Sequence, residues 1–179
     1  MAVLTIQLPP QQEQTKCNLR RWAELCADPE LAKIEGRIET DRYGHIIMMP
    51  PAVPFHGGLQ SEISYLLRTL MQSGRPFTEA PISTADGVKA ADVAWASHER
   101  INELGNHSCF QKAPEICVEI ISRSNTRAEI AEKAALCFDA GAKEVWTCSG
   151  AGVMTFLKSK AKTMNRSELC PNFPARVTI

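Results

Sequence analysis

One continuous run, residues 115 to 148 (EICVEIISRSNTRAEIAEKAALCFDAGAKEVWTC), restricts the fold more than any other part of the chain. It opens with residues 115 to 121, an apolar segment of strand length. A helix is predicted next, capped by Ser124 or Asn125 and continuing to Ala140, and Gly141 provides its C-terminal stop. The segment KEVWTC then predicts a second strand. A strand, a helix and a strand in this order predict a βαβ crossover within a mixed sheet.

The rest of the chain supplies further strands and two more helices. We predict a short helix within residues 17 to 28, a β-hairpin from RIETDRYGHIIMM, an amphipathic helix from Leu59 to Met71, strands near 76 to 83 and 88 to 96, a polar loop over 97 to 113, and a last strand from GVMTFL. We expect residues 1 to 34 to be an N-terminal extension and residues 35 to 179 to form one domain. The predicted fold class is α/β, with a mixed central sheet flanked by helices.

Composition excludes several classes of protein. The 20 Lys and Arg residues balance the 20 Asp and Glu residues, so no overall field attracts nucleic acid or an anionic membrane. The N-terminal residues lack the pattern of a secretory leader, and no run reaches the roughly 18 apolar residues of a membrane span. The seven cysteines include no C-x-x-C pair, which argues against a disulfide framework and a thiolate zinc site. We expect a cytoplasmic protein whose cysteines are mostly buried.

Two acidic residues stand inside apolar strand segments. Asp92 lies in VKAADVAWA, and Glu119 lies in ICVEIIS. A buried carboxylate without a partner is costly, so each needs a cation, a proton or hydrogen-bond donors. Either one could pair with a basic side chain in a purely structural network.

The predicted helix after Glu119 favours a functional interpretation. Its periodicity places Lys133 at the border of the apolar face that contains Ile130, Ala134 and Cys137, so a lysine is directed towards the strands. Two carboxylates with an adjacent lysine suit metal-assisted phosphodiester hydrolysis. The carboxylates bind Mg²⁺, and the lysine orients water or stabilises developing charge.

The segments GVKAADVAWAS, APEICVEIISRSN and EIAEKAALCFDAGAKEVW resemble the Uma-type family of restriction-endonuclease-like proteins, within the PD-(D/E)XK nuclease-like superfamily. The likeness covers roughly residues 35 to 175 and includes the hairpin with the following histidine. It implies a restriction-endonuclease-like fold and an endonuclease that hydrolyses DNA with Mg²⁺ (or Mn²⁺). DNA is then the expected partner, a homodimer is left open, and no membrane is involved.

The resemblance assigns roles to individual residues. Asp92 matches the motif aspartate and Glu119 the motif glutamate, and both would bind the metal. The usual lysine position after the glutamate holds Ile121, so Lys133 takes the catalytic role from the following helix. Ala91 stands where the family pattern has proline. Four weaker candidates for the site are Glu39, His56, Glu62 and Arg123.

Two other functions stay open at this point. The chain could be a catalytically idle interaction module that keeps the fold and uses its buried charges structurally. It could also hydrolyse a different phosphate ester. The sequence separates neither alternative from the nuclease.

Overall fold

The computed structural model describes residues 10–34, 36–51, 53–122 and 125–179. Its helices and strands are α1 (Gln11–Ala27), a 3₁₀ turn (Leu31–Lys33), β1 (Arg37–Thr40), β2 (Ile46–Met49), α2 (Pro54–Leu70), β3 (Gly74–Thr84), β4 (Gly87–Ser97), α3 (His98–Leu104), β5 (Ile116–Ile120), α4 (Arg127–Asp139), β6 (Glu144–Cys148), β7 (Met154–Ser159) and β8 (Lys162–Met164).

Six strands form the central sheet in the order β3-β4-β5-β6-β7-β8. Strands β5 and β6 are parallel and are joined by α4, whereas the other neighbouring pairs are antiparallel. The predicted crossover and the mixed sheet are therefore confirmed. Because β5 and β6 run in the same direction, the chain must return along one face of the sheet, and α4 provides that return.

Helices cover both faces of this sheet. On one face Leu59, Ile63 and Leu67 of α2 pack in a cluster with Trp146 of β6, which is fully buried. These helix residues recur every four positions and so form one apolar stripe. On the other face, the small residues of α4 pack in a second cluster with Cys117 and Val145. The α/β fold class predicted from the sequence is confirmed.

The predicted β1–β2 hairpin forms a second, two-stranded sheet. Its side chains bind the backbone of β4 before the part of β4 that pairs with β5. The Ala90 amide donates to the Glu39 carboxylate at 3.1 Å, and the Val88 amide donates to the Thr40 hydroxyl at 2.9 Å. Gly87 allows this close approach, since it has φ +84° and a Cβ there would lie 2.3 Å from the Asp41 carbonyl oxygen.

Three helix boundaries differ from the prediction. Helix α1 begins at Gln11, six residues before the predicted segment, and is therefore longer than expected. Helix α2 begins at Pro54, because proline suits the first helical position, so His56 lies in the first turn. Helix α4 is capped by Thr126, whose hydroxyl accepts from the Glu129 amide while the Glu129 carboxylate accepts from the Thr126 amide. Asn125 therefore precedes the cap, and Ser124 lies outside the described residues.

Two elements were missed. The predicted polar loop contains α3, which starts where the Ser97 hydroxyl accepts from the Arg100 amide. Strand β8 is short and mostly exposed, so it carries little apolar pattern.

As expected, most of the cysteines are buried; Cys17 and Cys26 are exposed, and all seven are free thiols. In the described part of the chain, no helix combines the length and hydrophobicity that crossing a bilayer requires.

Candidate functional site

A cleft of about 1070 Å³ opens between the β1–β2 hairpin, the start of α2, the end of β5 and helix α4. Its lining includes five of the residues proposed from the sequence, which are Glu39, His56, Asp92, Glu119 and Lys133. The fold thus brings together residues from five separate segments of the chain.

Asp92 and Glu119 meet where the pairing of β4 with β5 ends. The last pair of this antiparallel ladder is Val93 with Val118, so one further residue in register places Asp92 opposite Glu119. The strands do not continue as a ladder, because the Ile120 amide donates to Asp92 Oδ2 at 2.7 Å. Both carboxylates are buried, with 2% of Asp92 and 8% of Glu119 exposed.

The side chain of Lys133 extends from α4 to the carboxyl group of Glu119. Its ammonium Nζ lies 2.8 Å from Glu119 Oε2 and 3.4 Å from Glu39 Oε1, and it donates to the Ala90 carbonyl at 2.9 Å. Glu39 is buried beside it at the end of β1. Three oxygen atoms from three strands therefore hold the lysine ammonium in one place.

Lys89 is the other lysine close to Asp92 in sequence, but its ammonium is engaged elsewhere. It donates to the Thr40 carbonyl at 2.9 Å and lies 3.1 Å from Asp86 Oδ2. The carboxylate of Glu119 is paired with Lys133 instead.

The opposite side of Asp92 contains residues that sequence reasoning missed. Arg37 Nη1 donates to Asp92 Oδ1 at 2.7 Å and to Glu79 Oε2 at 2.8 Å. His56 Nε2 lies 3.4 Å from Asp92 Oδ1. Single ligand atoms of His56, Glu79 and Asp92 all lie within 4.8 Å of one another, a spacing compatible with a metal ion. The only signal for Glu79 was an acidic residue inside the strand segment RPFTEAPIS.

Glu79 adopts a left-handed backbone conformation, with φ +50°. The pairing of β3 with β4 runs from Thr78–Val93 directly to Ala80–Ala91, so Glu79 lies outside the ladder. This irregularity turns the side chain towards Arg37 and Gln60, and Gln60 Nε2 donates to Glu79 Oε1. The strand therefore carries local strain at the residue whose carboxylate reaches the cleft.

Replacing Glu79 should reveal that strain. Glu79→Gly and Glu79→Ala both remove the carboxylate, but only glycine lacks the Cβ that disfavours a positive φ. We expect Glu79→Gly to be more stable than Glu79→Ala by about 1 kcal/mol, measured by urea denaturation. Equal stabilities would show that the backbone relaxes at this position without cost.

The two central carboxyl groups have opposite pKa shifts. Burial opposes ionisation of Asp92, but the hydrogen bonds from His56 and the Ile120 amide, with the charges of Lys133 and Arg37, lower its pKa to about 2. Burial raises the pKa of Glu119 to about 8, and the Asp92 charge adds to this effect while Lys133 opposes it. At neutral pH, therefore, Asp92 is ionised and Glu119 retains a proton for much of the time.

Lys133 and Arg37 provide the positive charge on the two sides of Asp92. Burial alone would lower the pKa of Lys133, but the carboxyl groups of Glu119 and Glu39 outweigh it and raise that pKa. The hydrogen bond to Asp92 raises the pKa of His56, against the effect of burial.

One atom of this site fits a bound cation. Among the described residues, the buried Glu119 Oε1 has no hydrogen-bond partner, which is costly unless the oxygen is protonated or binds a cation. With Asp92, it offers carboxylate oxygens, the ligands that Mg²⁺ and Mn²⁺ prefer. The residues present therefore fit a divalent cation between Asp92 and Glu119.

The structure describes only one of the remaining two candidates. Glu62 is half-buried on α2 and is not part of the cleft lining. Arg123 lies outside the described residues.

Known proteins resemble this chain in both structure and sequence. A crystal structure titled as a "putative nuclease belonging to DUF820" from Anabaena variabilis ATCC 29413 is 20% identical, with a TM-score of 0.63 over 78% of this chain and 82% of that chain. Similarity at that identity shows a shared fold. Among curated proteins, none matches the chain. The Uma2 family, described as "Putative restriction endonuclease", matches residues 22–166. Because this match covers most of the sequence, the chain belongs to the Uma2 family.

Proposed function

We propose that the protein is a metal-dependent endonuclease that hydrolyses phosphodiester bonds of DNA, with Asp92, Glu119 and Lys133 as its catalytic residues. Membership of a family described as restriction endonucleases supports the nuclease class. The observation that carries the proposal is Glu119 Oε1, a buried carboxylate oxygen without a partner beside the ionised Asp92 and the Lys133 ammonium. A purely structural ion pair does not require such an oxygen.

Asp92 and Glu119 would hold Mg²⁺ or Mn²⁺. When bound, such an ion lowers the pKa of a coordinated water and polarises the phosphate. Before metal binds, each carboxyl group has its own donor: the Ile120 amide donates to Asp92, and the Lys133 ammonium lies against Glu119.

Lys133 supplies the positive charge that the protein itself contributes to the reaction. Three oxygens hold its ammonium beside Glu119, so its position is set before substrate binds. An ammonium fixed in this way stabilises negative charge that develops on the phosphate oxygens, at little reorganisation cost. Its raised pKa keeps it charged over the whole neutral range.

The charge of the cleft explains why cations would be needed for DNA to enter. Its described lining contains seven acidic residues and three lysines and arginines: Glu39, Glu79, Asp86, Asp92, Glu119, Glu129 and Glu132 against Arg37, Lys89 and Lys133. A phosphate group would be repelled from this surface in the absence of bound cations. The expected cleavage should therefore depend strictly on divalent metal.

Metal binding should appear in thermal stability. Because a cation that binds the native state stabilises it by mass action, Mn²⁺ or Mg²⁺ should raise the melting temperature of the wild-type protein. Asp92→Asn removes a ligand charge and should abolish most of that increase. Thermal unfolding with and without each metal tests this, and equal increases in both proteins would exclude Asp92 from the metal site.

A second candidate function is the catalytically idle module. It is favoured by the existing pairing of charges, since Arg37 already binds Asp92 and Lys133 already binds Glu119. Absence of cleavage by the wild type, with single-stranded and double-stranded DNA and with both Mg²⁺ and Mn²⁺, would favour this candidate. Cleavage that disappears in Glu119→Gln would exclude it.

A further inference from the structure

Arg37 is the first residue of β1, and its guanidinium lies on the cleft side of Asp92. One nitrogen, Nη1, donates both to Asp92 Oδ1 at 2.7 Å and to Glu79 Oε2 at 2.8 Å. A second nitrogen, Nη2, lies 3.9 Å from Glu39 Oε1. The side chain therefore binds carboxylates in the way that a small cation would.

The contacts of Asp92 show which of its oxygens a metal would have to use. Oδ2 accepts the Ile120 amide, a contact that also closes the strand pairing. Oδ1 accepts from Arg37 and lies 3.4 Å from His56. A divalent cation between Asp92 and Glu119 thus meets the arginine at Oδ1, whereas Glu119 Oε1 has no hydrogen-bond partner.

We propose that the Arg37 guanidinium competes with the divalent cation for Asp92, so that Arg37 sets how tightly the protein binds metal. This inference rests on the metal site of the proposed function. Two positive charges this close repel each other strongly in a partly buried site. The guanidinium cannot reduce that repulsion by losing its proton, because arginine stays protonated in proteins.

The surroundings of Arg37 let it release Asp92 without becoming an isolated buried charge. Glu79 provides a second carboxylate at the mouth of the cleft, and the Arg37 side chain is itself 22% exposed. Its buried Nε has no hydrogen-bond partner in the part of the chain that the structure describes, so these contacts do not satisfy all of its donors. A guanidinium that keeps Glu79 and gives up Asp92 would remain paired.

Calorimetric titration with Mn²⁺ at fixed pH and ionic strength tests the proposal without any measurement of cleavage. Arg37→Gln keeps a hydrogen-bond donor but removes the charge. We expect it to tighten Mn²⁺ binding about tenfold or more, because the competing cation is gone. Adding Asp92→Asn to this variant should remove the gain.

Arg42→Gln is the matched control. Arg42 lies close to β1 in the chain, its Nε is 3.1 Å from Asp86 Oδ1, and its side chain is 32% exposed. It carries the same charge near the same cleft, but it pairs with a different carboxylate. If only the overall charge matters, both variants should tighten binding equally, and that result would overturn the proposal. We expect Arg42→Gln to stay within about twofold of the wild type, since an exposed charge beyond the ligands is well screened.

The remaining outcomes separate this inference from the proposed function. Metal binding by the wild type that is unchanged or weakened in Arg37→Gln would overturn the competition and leave the metal site standing. Mn²⁺ binding by Arg37→Gln but not by the wild type would support the competition most strongly. Absence of Mn²⁺ binding in both the wild type and Arg37→Gln would overturn the competition and the proposed metal site. If circular dichroism shows that Arg37→Gln is unfolded, Arg37→Met replaces it. Methionine keeps most of the apolar stem and removes the charge, so binding should still tighten, and failure to tighten would overturn the inference.

Discussion

Lys133→Met should lower the rate of metal-dependent DNA cleavage about a hundredfold or more, the scale observed when one electrostatic catalytic group is removed. Methionine keeps most of the apolar volume of the lysine stem, which packs on the inner side of α4, and deletes only the charge. Metal binding should persist, because Asp92 and Glu119 both remain. Cleavage is measured under single-turnover conditions, with saturating Mn²⁺ and with the affinity for Mn²⁺ determined separately.

Lys89→Met is the matched control for this experiment. Lys89 is buried in β4, the strand that also carries Asp92, but its ammonium binds Thr40 and Asp86 instead of Glu119. We therefore expect Lys89→Met to retain cleavage. Wild-type cleavage in Lys133→Met, together with its loss in Lys89→Met, would transfer the catalytic role to Lys89 and leave the nuclease proposal intact.

Glu119→Gln should abolish metal-dependent cleavage and yet leave the metal-free protein at least as stable as the wild type at high pH. The physical reason is the raised pKa of Glu119, about 8 in the native state, against an ordinary value of 4.5. Between these two values the native state holds a proton that the unfolded chain has lost. Wild-type stability should therefore decrease as the pH rises through this range, and the decrease should end above pH 8.

The size of this effect can be measured as a difference between two proteins. Glutamine resembles the protonated glutamate, so the variant should be close to wild type at pH 6. By pH 9 it should be more stable than the wild type by about 3 kcal/mol, since roughly two pH units between pH 6 and the native pKa are crossed, at about 1.4 kcal/mol each. The measurement is urea denaturation in the presence of a chelator at both pH values.

The structural interpretation predicts a different result. If Glu119 serves mainly as the partner of Lys133 in a buried ion pair, its removal should cost on the order of 3 kcal/mol. Asp92→Asn provides the contrast, because the pKa of Asp92 is lowered to about 2 and the group is ionised at both pH values. Its loss should destabilise the protein at both pH values, and less at pH 9, because the Asp92 charge helps to raise the pKa of Glu119.

Local patterns were sufficient to predict most of the central fold. The strand, helix and strand over residues 115 to 148 are visible as runs of apolar residues with characteristic spacing, and each element largely determines its own pattern. Helix α3 was missed because few of its residues are buried, so an apolar stripe is hardly visible. The start of α2 was placed too late because its first turn, from Pro54, has no apolar periodicity of its own.

Asp92, Glu119 and Lys133 became candidates for the site because each places a charge where the local pattern requires burial. That contradiction is present in the sequence itself, since the apolar neighbours of Glu119 already indicate that its carboxylate is removed from water. The roles of these residues nevertheless remain proposals, because spacing alone does not distinguish a metal ligand from half of an ion pair.

Arg37 and Glu79 became visible only in the tertiary structure. Arg37 lies 42 residues from Glu79 and 55 residues from Asp92, and at the start of a short strand it resembles an ordinary solvated charge. Its position is decided by the docking of the β1–β2 hairpin on β4 through Glu39 and Thr40, and by the left-handed backbone at Glu79. The sequence by itself indicated that Asp92 and Glu119 would be buried in their strands, because their near neighbours in the chain are apolar. Only the tertiary structure decided which charges meet, because electrostatic pairing depends on distances in space between segments far apart in the chain.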